Sequence, residues 1–212
     1  QNAQAARKTK PEWTPTGGPR TLYGLAASPG LAVGKLVRHV SQKIEVADQP
    51  GDVVAEGEAL EQALLAVRAE REELEGRTRQ RLSAAEAAIF AAQRELLADP
   101  VLTRDALTTI MQGHGAAWSW QRALQARIEK LQKIDDPLLA ARAVDLRDVG
   151  ERVLAQLLGL ERKHIHLTEP SILAAEDLTP SDTLHLDTRH VVGLATSVGG
   201  PTSHTAILAR TL

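Results

Sequence analysis

Gly199-Gly200-Pro201-Thr202-Ser203-His204-Thr205-Ala206-Ile207-Leu208-Ala209-Arg210 is the stretch on which the reading of this chain turns. The apolar run Val191-Val192-Gly193-Leu194-Ala195-Thr196 before it reads as a strand, and Ala206 to Arg210 reads as the start of a helix. His204 then stands at a strand-to-helix junction. Glycines there permit close backbone approach, Thr202 or Ser203 can cap the helix, and the first-turn N–H groups attract anions. This arrangement suits an imidazole that attacks phosphorus, with the new phosphoryl group held by amides, by hydroxyls and by a cation such as Arg210. The ring must be neutral to attack. An ordinary histidine, with a pKa near ~6.5, is mostly neutral at pH 7, and the positive end of a helix pushes it further that way. A lone histidine at a helix start serves equally well as a polar cap, so the neighbours decide.

Composition narrows the classes. The 212 residues are 43% hydrophobic but only 2% aromatic, with a single Phe90 and a single Tyr23, so the core is aliphatic and base stacking is disfavoured. Net charge is −2 and no basic run forms a phosphate-backbone footprint, which argues against nucleic acid. Cysteine is absent, which removes disulfides and thiolate metal sites. No apolar run reaches the ~20 residues of a membrane span, and no secretory leader is visible. The expectation is a cytoplasmic protein that engages neither membrane nor nucleic acid.

Outward from the motif, the chain divides into four parts. Residues 1–20 hold three prolines, two glycines and a net charge of +3, and read as a linker. Because the chain begins at Gln1 and not Met, it is expected to be a piece of a longer polypeptide. Residues 21–46 alternate small, apolar and turn residues, as two short strands joined at Ser28-Pro29-Gly30 would. Residues 47–159 are helical. Val53 to Arg81 carries the stripe Leu60, Leu64, Val67, Arg71 and Leu74, with Glu75 and Arg79 on an expected solvated face. Ser83 opens a second helix with Glu86 three residues on, and Asp99-Pro100 opens a third. Gly113-His114-Gly115 breaks the third, Ala116 to Lys133 forms a fourth, and the last, about Leu138 to Leu158, ends at Gly159. Short connections imply an antiparallel bundle. It contains 19 acidic and 14 basic residues, a surplus that suits either a basic partner or plain solubility.

In residues 160–212, Lys163 to Leu167 and Ser171 to Ala175 read as strands, and Thr179-Pro180-Ser181-Asp182 opens a short helix. Strands on both sides of the helices imply one sheet-containing domain into which the bundle is inserted. His164 and His166 share one face of an expected strand, but no third ligand accompanies them, so no metal site is assigned. His39, His114, His185 and His190 read as surface or turn residues.

GGPTSHTAILAR closely resembles the active-site segment of the phosphoenolpyruvate-dependent phosphotransferases, a family that includes Enzyme I of the sugar phosphotransferase system, pyruvate phosphate dikinase and phosphoenolpyruvate synthase. Three further segments resemble Enzyme I: Gly24 to Gly34, with its Ala27-Ser28-Pro29-Gly30 core; Ala88-Ile89-Phe90 with Leu96 to Pro100; and Arg142 to Gly150 with Ala175 to Ser181. An interrupting helical bundle also distinguishes Enzyme I from the dikinase-type relatives. The resemblance implies an α+β fold, a swivelling phosphohistidine β/α domain interrupted by an inserted antiparallel α-helical bundle that binds the phosphocarrier HPr.

Residue by residue, the resemblance implies that His204 is phosphorylated at Nε2, that the Thr183 hydroxyl bonds the resting imidazole, and that Arg210 lies near the phosphoryl group. Gly200, Thr202, Ser203 and Thr205 would stabilise the phosphate, while Gln93, Leu96, Leu97, Asp99 and Arg142 would meet HPr. Pro201 stands where enteric-type relatives have arginine, and Ala84, Ala85 and Gln93 replace charged or histidine positions. The function implied is a phosphoenolpyruvate-protein phosphotransferase part that passes phosphate from His204 to HPr in sugar uptake. Phosphoenolpyruvate and Mg²⁺ would bind a C-terminal barrel that is not in this sequence, and the piece itself would be a monomer needing no cofactor. The basic leader fits a multiphosphoryl transfer protein with an HPr-like domain fused upstream. The competing readings are a non-catalytic helical docking module and the swivelling domain of a dikinase-type enzyme.

Overall fold

The computed structural model describes residues 21–40, 44–134, 136–160, 165–201 and 203–211, without the side chains at 137, 138, 140 and 141. In chain order the described elements are β1 (Lys35–Arg38), α1 (Val53–Arg81), α2 (Ala84–Leu97), α3 (Pro100–Met111), α4 (Ala116–Gln132), α5 (Pro137–Leu157), β2 (Ser171–Ala175), α6 (Pro180–Leu184), β3 (Val191–Thr196) and α7 (His204–Thr211).

Local chemistry sets the helix starts. The Asp52 carboxylate accepts from the Val54 and Ala55 amides at 3.1 and 3.0 Å, Ser83 accepts from the Ala85 amide, and Asp99 accepts from Val101 with Pro100 at the first helical position. α4 follows Gly115, which has no side chain to cap it. Carboxylates from elsewhere take that role: Asp48 accepts from the Gly115 amide at 3.1 Å and Glu56 from the Ala116 amide at 2.7 Å. With Gln121 Nε2 donating to the Ile44 carbonyl, these bonds pin the approach to α1 along α4.

The five helices α1 to α5 bury one aliphatic core in which Leu60, Val67, Leu102, Ile110 and Val149 surround Trp120. Trp120 is fully buried, and its indole N–H donates to the Gly150 carbonyl at 2.9 Å. A Cβ at Gly150 would lie 2.4 Å from the Leu124 side chain, so α4 and α5 approach closely because that position carries none.

The sheet has order β1-β2-β3 and is parallel throughout, with Lys35 opposite Ser171 and Ser171 opposite Val191. Parallel neighbours need a crossover connection. Between β2 and β3 it contains α6; between β1 and β2 it is the entire bundle. Leu173, Leu178 and Leu186 form a second, smaller core beneath the strands.

Three expectations are corrected. Residues 21–34 form no strand, and Leu22, Tyr23, Leu25 and Leu31 are exposed: alternation alone makes no strand without a ladder partner, and β1 begins only where it meets Ser171. Residues 165–167 are not a strand, while the rest of that expected element, His164 included, lies outside the described residues. Glu75 is not on a solvated face; it is 8% exposed beneath Arg79 and Arg94 at 2.7 and 3.3 Å.

Two tryptophans two positions apart on α4 should respond differently to deletion. Trp118 stacks on His114 and lies under the Arg122 guanidinium, so Trp118→Ala should cost about 1 kcal/mol. Trp120→Ala should cost about 3–5 kcal/mol in urea denaturation. Equal losses would contradict the core described above.

Candidate functional site: a histidine shared between bundle and sheet

α7 begins at His204, and the Ser203 hydroxyl caps it by accepting from the Ala206 amide at 3.2 Å. The turn before it is tight. Gly199 has φ +88°, a conformation that favours glycine, and the Ser203 amide donates to the Gly200 carbonyl at 2.9 Å. This turn delivers the imidazole to α5, where His204 Nδ1 lies 3.1 Å from Asp145 Oδ1. A carboxylate can only accept, so Nδ1 carries the hydrogen and the lone pair of the neutral ring is on Nε2. The His204 side chain is 38% exposed, whereas that of Asp145 is 11% exposed.

The electrostatics differ from the sequence expectation. The Asp145 hydrogen bond raises the His204 pKa above the ordinary histidine value, and partial burial opposes it without prevailing. The ring is therefore held toward the imidazolium form, not pushed toward neutrality. Nearby, burial raises the Asp177 carboxyl, whose neighbours include the Leu178 amide and Thr205.

The other expected site residues are placed as follows. The Thr183 hydroxyl is buried and donates to the Thr179 carbonyl at 3.0 Å, while Nδ1 of the imidazole is taken by Asp145; a helical threonine satisfies its own preceding turn first. Thr205 is likewise buried and donates to the Leu178 carbonyl at 2.7 Å, tying α7 to the segment before α6. Arg210 is exposed and donates to the carbonyls of Ala27 and Pro201 at 3.2 and 2.8 Å. Thr202 lies outside the described residues. Gly200, Ser203 and Arg210 line a cavity of about 1010 Å³ between residues 23–28 and β3; His204 is not among its lining residues, so the cavity flanks the imidazole without containing it.

On the bundle, Arg142 is exposed, Leu96 is half-buried, and Asp99 caps α3 while pairing with Arg127 at 2.8 Å. Gln93 and Leu97 are corrections to the expected docking face. Leu97 packs in the core, and Gln93 is fully buried, bonded to Arg71 at 3.3 Å and to Asp148 at 2.9 Å, because α2 turns that side toward α1 and α5. Among the described residues no group of three or more His, Asp or Glu side chains could hold a metal ion, and no helix is long and apolar enough to cross a membrane.

Sequence reasoning did not single out Asp145. The available signal was a pair of acids, Asp145 and Asp148, flanking Leu146 and Val149 on the buried side of α5. A carboxylate there needs a polar partner from another element.

Residues 23–142 match the family model for the N-terminal domain of PEP-utilising enzymes, and residues 167–212 match that for their mobile domain. Among curated relatives, the multiphosphoryl transfer protein of Xanthomonas campestris is 47% identical over 94% of this chain and 24% of its own length. The phosphoenolpyruvate-protein phosphotransferase of Bacillus sp. (strain S) is 37% identical over 91% of this chain and 34% of its own length. The chain thus spans between a quarter and a third of these relatives. The NMR solution structure of Enzyme I superposes with a TM-score of 0.66 at 34% identity, covering 88% of this chain and 77% of that one. The N-terminal domain of Enzyme 1-Nitrogen gives 0.60 at 25% identity, over 89% and 79% of the two chains. An inserted bundle, a parallel β/α lobe and a histidine at their junction accompany these matches, and the chain belongs to the PEP-utilising enzymes, of which it carries the N-terminal and mobile domains.

Proposed function

We propose that this chain is the phosphoryl-carrying part of a phosphoenolpyruvate-protein phosphotransferase, in which His204 receives a phosphoryl group that originates on phosphoenolpyruvate and passes it to a histidine of HPr. The observation that carries the reading is the Nδ1–H···Asp145 bond, which leaves Nε2 of a part-exposed ring as the nucleophile. Its support from likeness is the naming of the relatives as multiphosphoryl transfer and phosphoenolpyruvate-protein phosphotransferases.

In the first transfer the Nε2 lone pair forms the N–P bond as the bond from phosphorus to the enol oxygen breaks, and the leaving enolate takes up a proton to become pyruvate. The ring then carries a positive charge with its proton still on Nδ1, and Asp145 is placed to balance it. In the second, an acceptor nitrogen attacks phosphorus in line, the N–P bond breaks, and His204 regains its neutral form. Ser203 contributes by fixing the helix start and Gly199 by permitting the turn. Arg210 already folds back on Pro201 beside the same turn and supplies a cation there.

Docking of HPr falls to the exposed side of the bundle, with Leu96, Asp99 and Arg142 as contacts, and the acidic surplus of residues 47–159 suits a basic surface. An HPr-like domain tethered through residues 1–20 would need only weak contacts, because a tether raises its effective concentration.

Incubation with phosphorylated HPr should give an acid-labile, base-stable phosphoryl adduct on the chain and none on His204→Ala. Binding of HPr with no adduct on the wild type would leave a docking module instead. The pH dependence should carry the mark of Asp145. Only the neutral ring attacks, so the acid limb of transfer should have its midpoint above ~6.5 and move to lower pH in Asp145→Asn, which removes charge but keeps an acceptor. The linkage has the same sign: a raised folded-state pKa adds stability below ~6.5 that is lost as pH rises through the folded value. Asp145→Leu, which frees the ring, should slow transfer about tenfold, corresponding to about 1.4 kcal/mol of lost orientation.

A further inference from the structure

α1 carries a charge where its pattern calls for an apolar side chain. Arg71 lies on the stripe with Leu60, Val67 and Leu74, and it is fully buried. A buried guanidinium is strongly unfavourable unless its fork is matched. Here the partners come from three other elements. Nη1 donates to Gln93 Oε1 of α2 at 3.3 Å, lies 3.9 Å from Asp148 Oδ2 of α5, and donates to the Ser181 hydroxyl of α6. Gln93 closes the ring by donating from Nε2 to Asp148 at 2.9 Å, and Glu70 receives Nη2 at 3.5 Å while also holding Arg152 at 2.6 Å.

Of these partners only Ser181 belongs to the sheet-bearing lobe. It too is fully buried, on a short helix whose start is locked by the reciprocal Thr179–Asp182 capping box. α6 packs on α7, and the Thr205–Leu178 bond ties the segment just before α6 to α7 one residue after His204. On the bundle side, Asp148 sits one helical turn beyond Asp145. Two polar routes thus leave Arg71, one through Ser181 and α6 to α7, the other through Asp148 and α5 to Asp145. They meet again at the His204–Asp145 bond.

We propose that Arg71 is a positioning residue, whose bond to Ser181 clamps α6 against the bundle and thereby holds His204 on Asp145. Its consequence for phosphoryl transfer rests on the function proposed above; the clamp itself does not. Without the Ser181 bond, Arg71 keeps Gln93 and Asp148 and the bundle stays intact, but α6 loses its tie to α1 and the His204–Asp145 contact loses that support. A contact whose imidazole side is 38% exposed is open to competition from water, so its geometry depends on how α7 is held.

Ser181→Ala tests this on the 212-residue chain, because it deletes the bond between lobes and leaves the arginine in place. The His204 titration midpoint, followed by NMR of the imidazole protons, should fall by about half a pH unit, toward the value of Asp145→Asn. Transfer from phosphorylated HPr should slow about threefold. Arg71→Met should produce the same fall in midpoint, and Ser181→Ala placed on top of it should add nothing further. Ile110→Val, which trims the bundle core far from the seam, supplies the control: it should lower stability and leave the His204 midpoint where it was. An unchanged midpoint in a folded Ser181→Ala protein overturns the clamp, whatever happens to the rate. A wild-type chain that takes no phosphoryl group overturns the proposed function instead, and the midpoints still decide the role of Arg71.

Discussion

One hydrogen bond, from His204 Nδ1 to Asp145, joins the two lobes at the point where chemistry is expected. It reaches from the first residue of α7 to the middle of α5, so the tautomer and basicity of the ring depend on how the lobes sit together. Two influences act with opposite sign. Burial disfavours the imidazolium, the carboxylate favours it, and the carboxylate prevails. The result is a more basic Nε2 that is neutral less of the time. For transfer between two histidines this is a reasonable compromise, because a carrier must release the phosphoryl group as readily as it accepts it.

The distribution of buried polar groups makes the same point on a larger scale. The bundle core around Trp120 is almost wholly aliphatic, and the second core beneath the sheet is aliphatic too. Several of the buried polar and charged residues meet between them: Arg71, Gln93 and Asp148 of the bundle form a network that reaches Ser181, and Asp145 holds His204. An apolar seam would fuse the lobes into one rigid body. A polar seam is satisfied when closed and can be rehydrated when open, so it orients the lobes without welding them. Enclosed charge is an expensive way to make a core stable, and its placement along this boundary argues that orientation is what it secures.

Much of this was legible in the sequence, and the reasons are local. Asp52, Ser83, Asp99-Pro100 and Thr179-Pro180 mark helix starts by chemistry that acts within a few residues, and α1, α2, α3 and α6 begin where those residues stand. Gly199 and Ser203 mark the turn into α7 by the same kind of short-range signal. What escaped depends on residues distant in the chain. Residues 21–34 have the alternation of strands but no partner to pair with, and Gln93 looks like a surface amide until α1 and α5 close over it. Arg71 was read as one position of a stripe; its charge, out of place among leucines and valine, was the clue to a seam.

Asp145 lies 59 residues from His204 in the chain, and no spacing rule connects them. What brings them together is the crossover itself. β1 and β2 are parallel neighbours, so the bundle that connects them must return to the sheet beside the strand it left, and α5, its last helix, is the element that makes that return. A carboxylate on the inner face of α5 is thereby delivered to the lobe that carries α7, close to where the chain re-enters the sheet. Insertion of the bundle at this crossover therefore does more than attach a docking surface. It makes the bundle's own last helix a wall of the histidine site, so any partner that shifts α5 on binding also acts on the bond that sets the state of the ring.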